Sequence, residues 1–222
     1  MTTPSDADIA TLACVGIYSP TAVTDGFDHV DVGMDDGVFW ALKRLPGYDV
    51  VIFRGSVIFL DWVRDGRALA TPTRIGHVHA GFFAGMEKMW AEARPILTQS
   101  VIVCGHSLGA ARAAILTGLM VADGMAPIAR VVFGEPKAGL LDFVKPIADV
   151  PGRSYRNGDN LHHDLITDEP PSWPPFQFMR PTPIIPVCCR PQGNEFEAFG
   201  LFAWHHGTLY DIALHASQEK AA

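Results

Sequence analysis

The chain is short of charge, of cysteine and of long apolar runs, and each shortage removes a class of function. Only 18% of the 222 residues are Asp, Glu, Lys or Arg while 48% are hydrophobic, against about 25% charged in an average protein. A disordered chain is excluded and a large buried interior is favoured. Cations are the scarcer sign, 17 Lys and Arg against 24 Asp and Glu for a net charge of −7. The basic footprint of a nucleic-acid binder is missing, so no nucleic-acid partner is expected. The Ala-rich stretch from Ala110 is broken at once by Arg112, and no apolar run approaches the roughly 18 residues of a membrane span. The cysteines, Cys14, Cys104 and the adjacent Cys188 and Cys189, are too few for a disulfide framework. The N-terminus carries Asp6 and Asp8 where a signal peptide needs Lys or Arg. A reduced, cytoplasmic setting is expected, with release by lysis or a non-classical route as alternatives.

What is present is an alternation of short apolar runs and helical patterns. Val50–Phe53, Ser100–Cys104, Arg130–Phe133 and Ser154–Arg156 read as strands buried on both faces of a parallel sheet. Helical patterns are expected over Gly37–Leu45, Phe82–Arg94 and Leu108–Asp123, with Pro46 and Pro95 ending the first two. The length suggests one domain, residues 1–222, of the α/β class. One composition shift stands out: Pro170 to Pro191 holds 8 of the 17 prolines, together with Trp173, Phe176, Phe178 and Met179. It reads as a rigid extended excursion, whose aromatics could also line an apolar cleft.

The strand Val101–Cys104 runs into Gly105-His106-Ser107-Leu108-Gly109-Ala110 and then into a helix. That is the context a Gly-x-Ser-x-Gly nucleophile elbow requires. A tight strand-to-helix turn pushes the Ser107 hydroxyl clear of the sheet, and the flanking glycines let strand and helix approach. The Leu108 backbone N–H, at the helix start, is aimed where an oxyanion would form.

Together with Val51-Ile52-Phe53-Arg54-Gly55-Ser56, Asp61-Trp62, Val78-His79-Ala80-Gly81-Phe82 and Val132-Phe133-Gly134-Glu135-Pro136-Lys137, this elbow resembles the class 3 (fungal-type) lipases, from about residue 37 to 214. The resemblance implies an α/β-hydrolase fold, a mostly parallel central sheet flanked by helices, and hydrolysis of carboxylic esters, often of lipids. It places Ser56 as the second oxyanion donor. It also places a lid after this point, where Val57–Trp62 supplies apolar residues that could cover a cleft or equally form a core helix.

A serine needs an imidazole to take its proton, and the imidazole needs a carboxylate. In α/β hydrolases the chain order is Ser, Asp, His. Asp159, in Asn157-Gly158-Asp159-Asn160-Leu161, resembles the family's acid in position and is preferred over its competitor Asp164, which lies several residues into the next loop. His205 and His206 are adjacent candidates for the base. Relatives often carry Tyr five residues after this His, and Tyr210 selects His205, with His206 kept as competitor. His162-His163-Asp164 lacks metal-ligand spacing and reads as a solvated loop, His79 as structural and Cys104 as core.

The expected activity is a serine carboxylic ester hydrolase, a lipase or esterase, acting through an acyl-enzyme without cofactor or metal. Its partner is a small ester or lipid substrate, with transient contact to a lipid surface possible in principle. The alternatives are acyl transfer to another alcohol, or non-catalytic binding of a hydrophobic ligand or partner in the same cleft.

Overall fold

The computed structural model describes residues 3–21, 26–34, 37–56, 69–159, 161–191 and 200–219. Val57–Trp62, the segment with the family's lid position, lies outside them.

The apolar run in β3 (Tyr48–Phe53) is buried on both sides because the sheet is covered on both faces. Val50 and Ile52 join one core, Val51 and Phe53 the other. The same split recurs in β6 (Ser100–His106), where Ile102 and Cys104 oppose Val101 and Val103, and in β7 (Ala129–Phe133), where Val131 and Phe133 oppose Val132. With β1 (His29–Asp31), β2 (Trp40–Leu45), β8 (Gly152–Asn157) and β9 (Ile184–Val187) these strands form one sheet, ordered β1-β2-β3-β6-β7-β8-β9. From β3 to β9 every pairing is parallel, while β1, β2 and β3 pair antiparallel. The remaining strands, β4 (Ala70–Thr73) and β5 (Gly76–His79), make a separate hairpin.

One face carries α2 (Ala80–Phe83), α3 (Met86–Ala93), α4 (Leu108–Ala122) and α5 (Leu141–Ile147); the other carries α1 (Asp6–Ala10) and α6 (Gly207–Glu219). α4 is buried from Gly109 to Met120, which explains its Ala and Leu content: small residues let it lie close on the sheet. Each fully buried Leu, Ile or Phe here contributes about 1.5–3 kcal/mol. The expected helix from Phe82 is two helices, divided at Gly85, whose φ of 79° breaks the α conformation. No described helix is long and apolar enough to cross a membrane.

Gly37–Leu45 is not helical. Trp40–Leu45 is a strand, joined to β3 through Pro46 and Gly47, and Gly47 takes a φ of 87°. Its signal was a period of two: Val38, Trp40 and Leu42 enter one core and Ala41 the other. Burial on both faces filled the alternate positions with apolar residues and blurred that alternation.

The Pro170–Pro191 excursion is mostly irregular and ends in β9. Phe178 is buried against His79, whereas Trp173 is exposed and meets Phe176 edge-on. Pro174, Gln177 and Met179 line a groove of about 840 Å³ with His77, Leu141 and Asp142. The aromatics do not line it.

Candidate active site

Ser107 stands between β6 and α4 with φ 62° and ψ −129°, a conformation that costs a non-glycine residue about 1–3 kcal/mol. The glycines on either side explain how the turn closes. A Cβ on Gly105 would strike the Gly109 backbone, and one on Gly109 would strike the Phe53 carbonyl of β3. The turn therefore works only with glycine at both positions. Leu108 is the first residue of α4, where backbone N–H groups have no acceptor within the helix. Ser56 lies in the loop after β3, exposed, and the preceding Gly55 abuts the elbow: a Cβ there would come within 2.9 Å of Ser107 Cβ. Arg54 lies over the rings of Phe39 at 4.9 Å and Tyr18 at 5.4 Å, a packing role.

His205 ends a 3₁₀ turn, Gly200–His205, and its ring stacks on that of His106 with centroids 4.6 Å apart. Because His106 immediately precedes Ser107, the imidazole of His205 is held beside the elbow. Its Nδ1 is 2.7 Å from Asp164 Oδ2. Its Nε2 is buried and has no hydrogen-bond partner among the described residues. His206 is engaged elsewhere, with Nδ1 2.6 Å from the Thr208 hydroxyl.

The carboxylate paired with His205 is thus Asp164, and the expectation of Asp159 is corrected. Asp159 is exposed and its Oδ1 accepts from the N–H groups of Leu161 and His162, each at 2.7 Å. Those two donors hold its carboxyl below the ordinary range. It fastens a tight turn at Gly158, φ 115°, where a side chain would strike the His162 carbonyl. That turn folds the chain back, so that Asp164 N–H donates to Asn157 O at 2.9 Å at the end of β8. The loop expected to be solvated therefore tucks its last residue inward. Sequence spacing could not separate the two candidates, since each has an apolar residue two positions on, Leu161 or Ile166.

Asp164 is fully buried, and burial alone would raise its pKa. The charge and hydrogen bond of His205, and the hydroxyl of Tyr210, outweigh burial and hold it below the ordinary value. Tyr210 donates to Oδ2, and Ile166 N–H donates to Oδ1 at 3.0 Å. Tyr210, whose spacing singles out His205, thus binds the carboxylate that pairs with His205. Gly134, φ 57°, is required by the same cluster: its Cβ would lie 2.7 Å from Asp164 Oδ2 and 2.9 Å from the His205 ring. Gly134 lies in the Val132–Lys137 segment that resembles the family, and its role follows only from this contact.

Among the described residues no group of three or more His, Cys, Asp or Glu side chains could hold a metal ion. What the cluster offers is a hydroxyl on a strained turn and a buried carboxylate–imidazole pair beside it. Such a set can take a proton from a hydroxyl and stabilise the resulting imidazolium.

The sequence model of the lipase (class 3) family matches residues 50–172. "Lipase ZK262.3" of Caenorhabditis elegans is 31% identical over 129 residues, which are 51% of this chain and 36% of that protein. The chain therefore spans about a third of that relative's length. Among solved structures it is similar to lipase II from Rhizopus niveus, with a TM-score of 0.67 at 18% identity over 83% of this chain and 82% of the other. It is also similar to the mono- and diacylglycerol lipase from Aspergillus oryzae, TM-score 0.66 at 17% identity over 97% and 99% of the two chains. A triacylglycerol lipase whose catalytic centre is described as a serine protease triad gives a TM-score of 0.65 at 17% identity, over 82% and 79%. These structural likenesses establish a shared α/β-hydrolase fold. The family match runs from β3 through the elbow to beyond Asp164, more than half of the chain, and on that basis this protein belongs to the class 3 lipases.

Proposed function

We propose that the protein is a serine carboxylic ester hydrolase that works through an acyl-enzyme, with Ser107 as nucleophile, His205 as general base and acid, and Asp164 as the carboxylate. The observation that carries this reading is the His205–Asp164 pair, closed from behind by Tyr210, beside a serine held at φ 62°. His205 Nε2 takes the Ser107 proton as Oγ attacks the ester carbonyl. Asp164 fixes the tautomer with the proton on Nδ1 and stabilises the imidazolium. The Leu108 and Ser56 backbone N–H groups hold the tetrahedral oxyanion. His205 then gives its proton to the leaving alcohol, and water, activated by the same imidazole, releases the acid. Family membership supports a lipid or acyl ester as substrate.

Hydrolysis of p-nitrophenyl esters from acetyl to palmitoyl, by wild type and Ser107→Ala, tests the reading with a serine-directed phosphonate in parallel. Serine-dependent turnover is expected, and its chain-length optimum separates an esterase from a lipase. Undiminished hydrolysis by purified Ser107→Ala would sink the proposal. No turnover and no phosphonate labelling of wild type would do so too, in favour of a binding role.

A further inference from the structure

We propose that Tyr18 is a positioning residue that ties the loop carrying Ser56 to the segment carrying His205, acting through His106. The inference rests on the serine hydrolase reading above. The hydrogen bonds run in one direction. Gly55 N–H donates to the Tyr18 hydroxyl at 2.8 Å. The hydroxyl proton is thereby left to point at His106 Nδ1, 3.2 Å away. With Nδ1 accepting, the His106 proton sits on Nε2, which lies 2.8 Å from the His205 carbonyl and donates to it. Every donor in the chain has one acceptor, so the tautomer of His106 is fixed.

The rings reinforce the path. Tyr18 meets His106 edge-on with centroids 6.0 Å apart, and His106 stacks on His205. His106 is buried, and burial followed by the neighbouring His205 charge lowers its pKa to about 3, so it stays a neutral linker while His205 cycles. A Cβ on Gly55 would fall 2.5 Å from the Tyr18 hydroxyl and 2.9 Å from Ser107 Cβ. The bridge therefore begins where the oxyanion loop touches the nucleophile and ends at the base. Among the described contacts, Tyr18 meets Gly55, His106 and Arg54 and none of the reacting groups. It belongs to the N-terminal segment, before residues 50–172 that match the family model, so an element outside the matched region fixes the spacing between Ser56, inside that region, and His205, beyond it.

The test compares kcat and KM of wild type, Tyr18→Phe, His106→Gln and the double variant on the best p-nitrophenyl ester, with melting temperatures alongside. Tyr18→Phe keeps the ring and removes only the hydroxyl, and misplacement of reacting groups by about 1 Å can cost about a hundredfold. The expected result is a kcat about ten- to a hundredfold lower with KM within about threefold, because ground-state binding is untouched. The double variant should be no worse than the worse single one, since both break the same chain. A folded Tyr18→Phe with kcat close to wild type would overturn the bridge, as would losses that multiply in the double variant. If one single variant does not fold, kcat of the other decides. Wild-type turnover that depends on Ser107 together with full activity in Tyr18→Phe removes the bridge alone. An inactive wild type removes the bridge with the reading beneath it.

Discussion

A buried carboxylate is tolerated only when its lone pairs are filled, and Asp164 has three donors: His205 and Tyr210 on one oxygen, Ile166 N–H on the other. Asp159, five residues earlier, accepts two backbone N–H groups in solvent and meets no imidazole in the described contacts. The two aspartates therefore predict opposite kinetics. Asp164→Asn should leave the imidazole in the wrong tautomer and lower kcat by about 10³–10⁴-fold. Asp159→Asn loosens a turn and should keep kcat within a fewfold of wild type. Steady-state kinetics on one ester decide between them, and equal losses in both variants would contradict the assignment of Asp164.

At the scale of the element, the strand–elbow–helix unit holds strain at one residue. At ordinary positions glycine is less stable than alanine by about 0.5–1 kcal/mol. At position 107, φ 62° and ψ −129°, the order should reverse. Ser107→Ala keeps a Cβ and the strain, whereas Ser107→Gly releases it. Ser107→Gly should thus unfold at higher urea than Ser107→Ala, by about 1 kcal/mol, with neither variant turning over ester. A lower midpoint for the glycine variant would mean that the elbow is not strained. This unit was also the part most legible in the sequence, because glycine at 105 and 109 follows from steric contact and leaves a fixed spacing. β2 was not legible, since burial on both faces made Val38–Leu42 nearly continuous in apolar character. The acid was half legible. The chain order and the position after β8 led to the loop that holds the carboxylate paired with His205, but the choice between Asp159 and Asp164 turns on the reversal at Gly158. Tyr18 and His106 gave no signal, because their partners lie 37, 88 and 99 residues apart along the chain.

Across the whole molecule, both faces of the sheet bury a neutral histidine, and this makes stability depend on pH. His79 packs on Phe82 and Phe178 on the side of the sheet that carries α2, and burial lowers its pKa to about 4. His106 packs on Tyr210 at the core beneath α6, lowered by burial and by the charge of His205 to about 3. In the unfolded chain both titrate near the ordinary histidine value of about 6.5. A depressed folded value means that the stability is fully present above the unfolded pKa. It is lost as pH falls, since the unfolded chain takes up protons that the native state refuses. Between about pH 6.5 and 4 each histidine contributes a slope on the order of 1.4 kcal/mol per pH unit. Asp164 adds to the loss only at lower pH, where its depressed carboxylate is finally protonated. Urea unfolding between pH 7.5 and 4.5 should show the midpoint dropping steadily below about pH 6.5. His79→Phe fits an aromatic surround and removes one of the two titrations, so the slope should fall by about half. A midpoint that stays flat from pH 7 to 5, or a slope unchanged in His79→Phe, would contradict the claim that these two histidines are held neutral in the core.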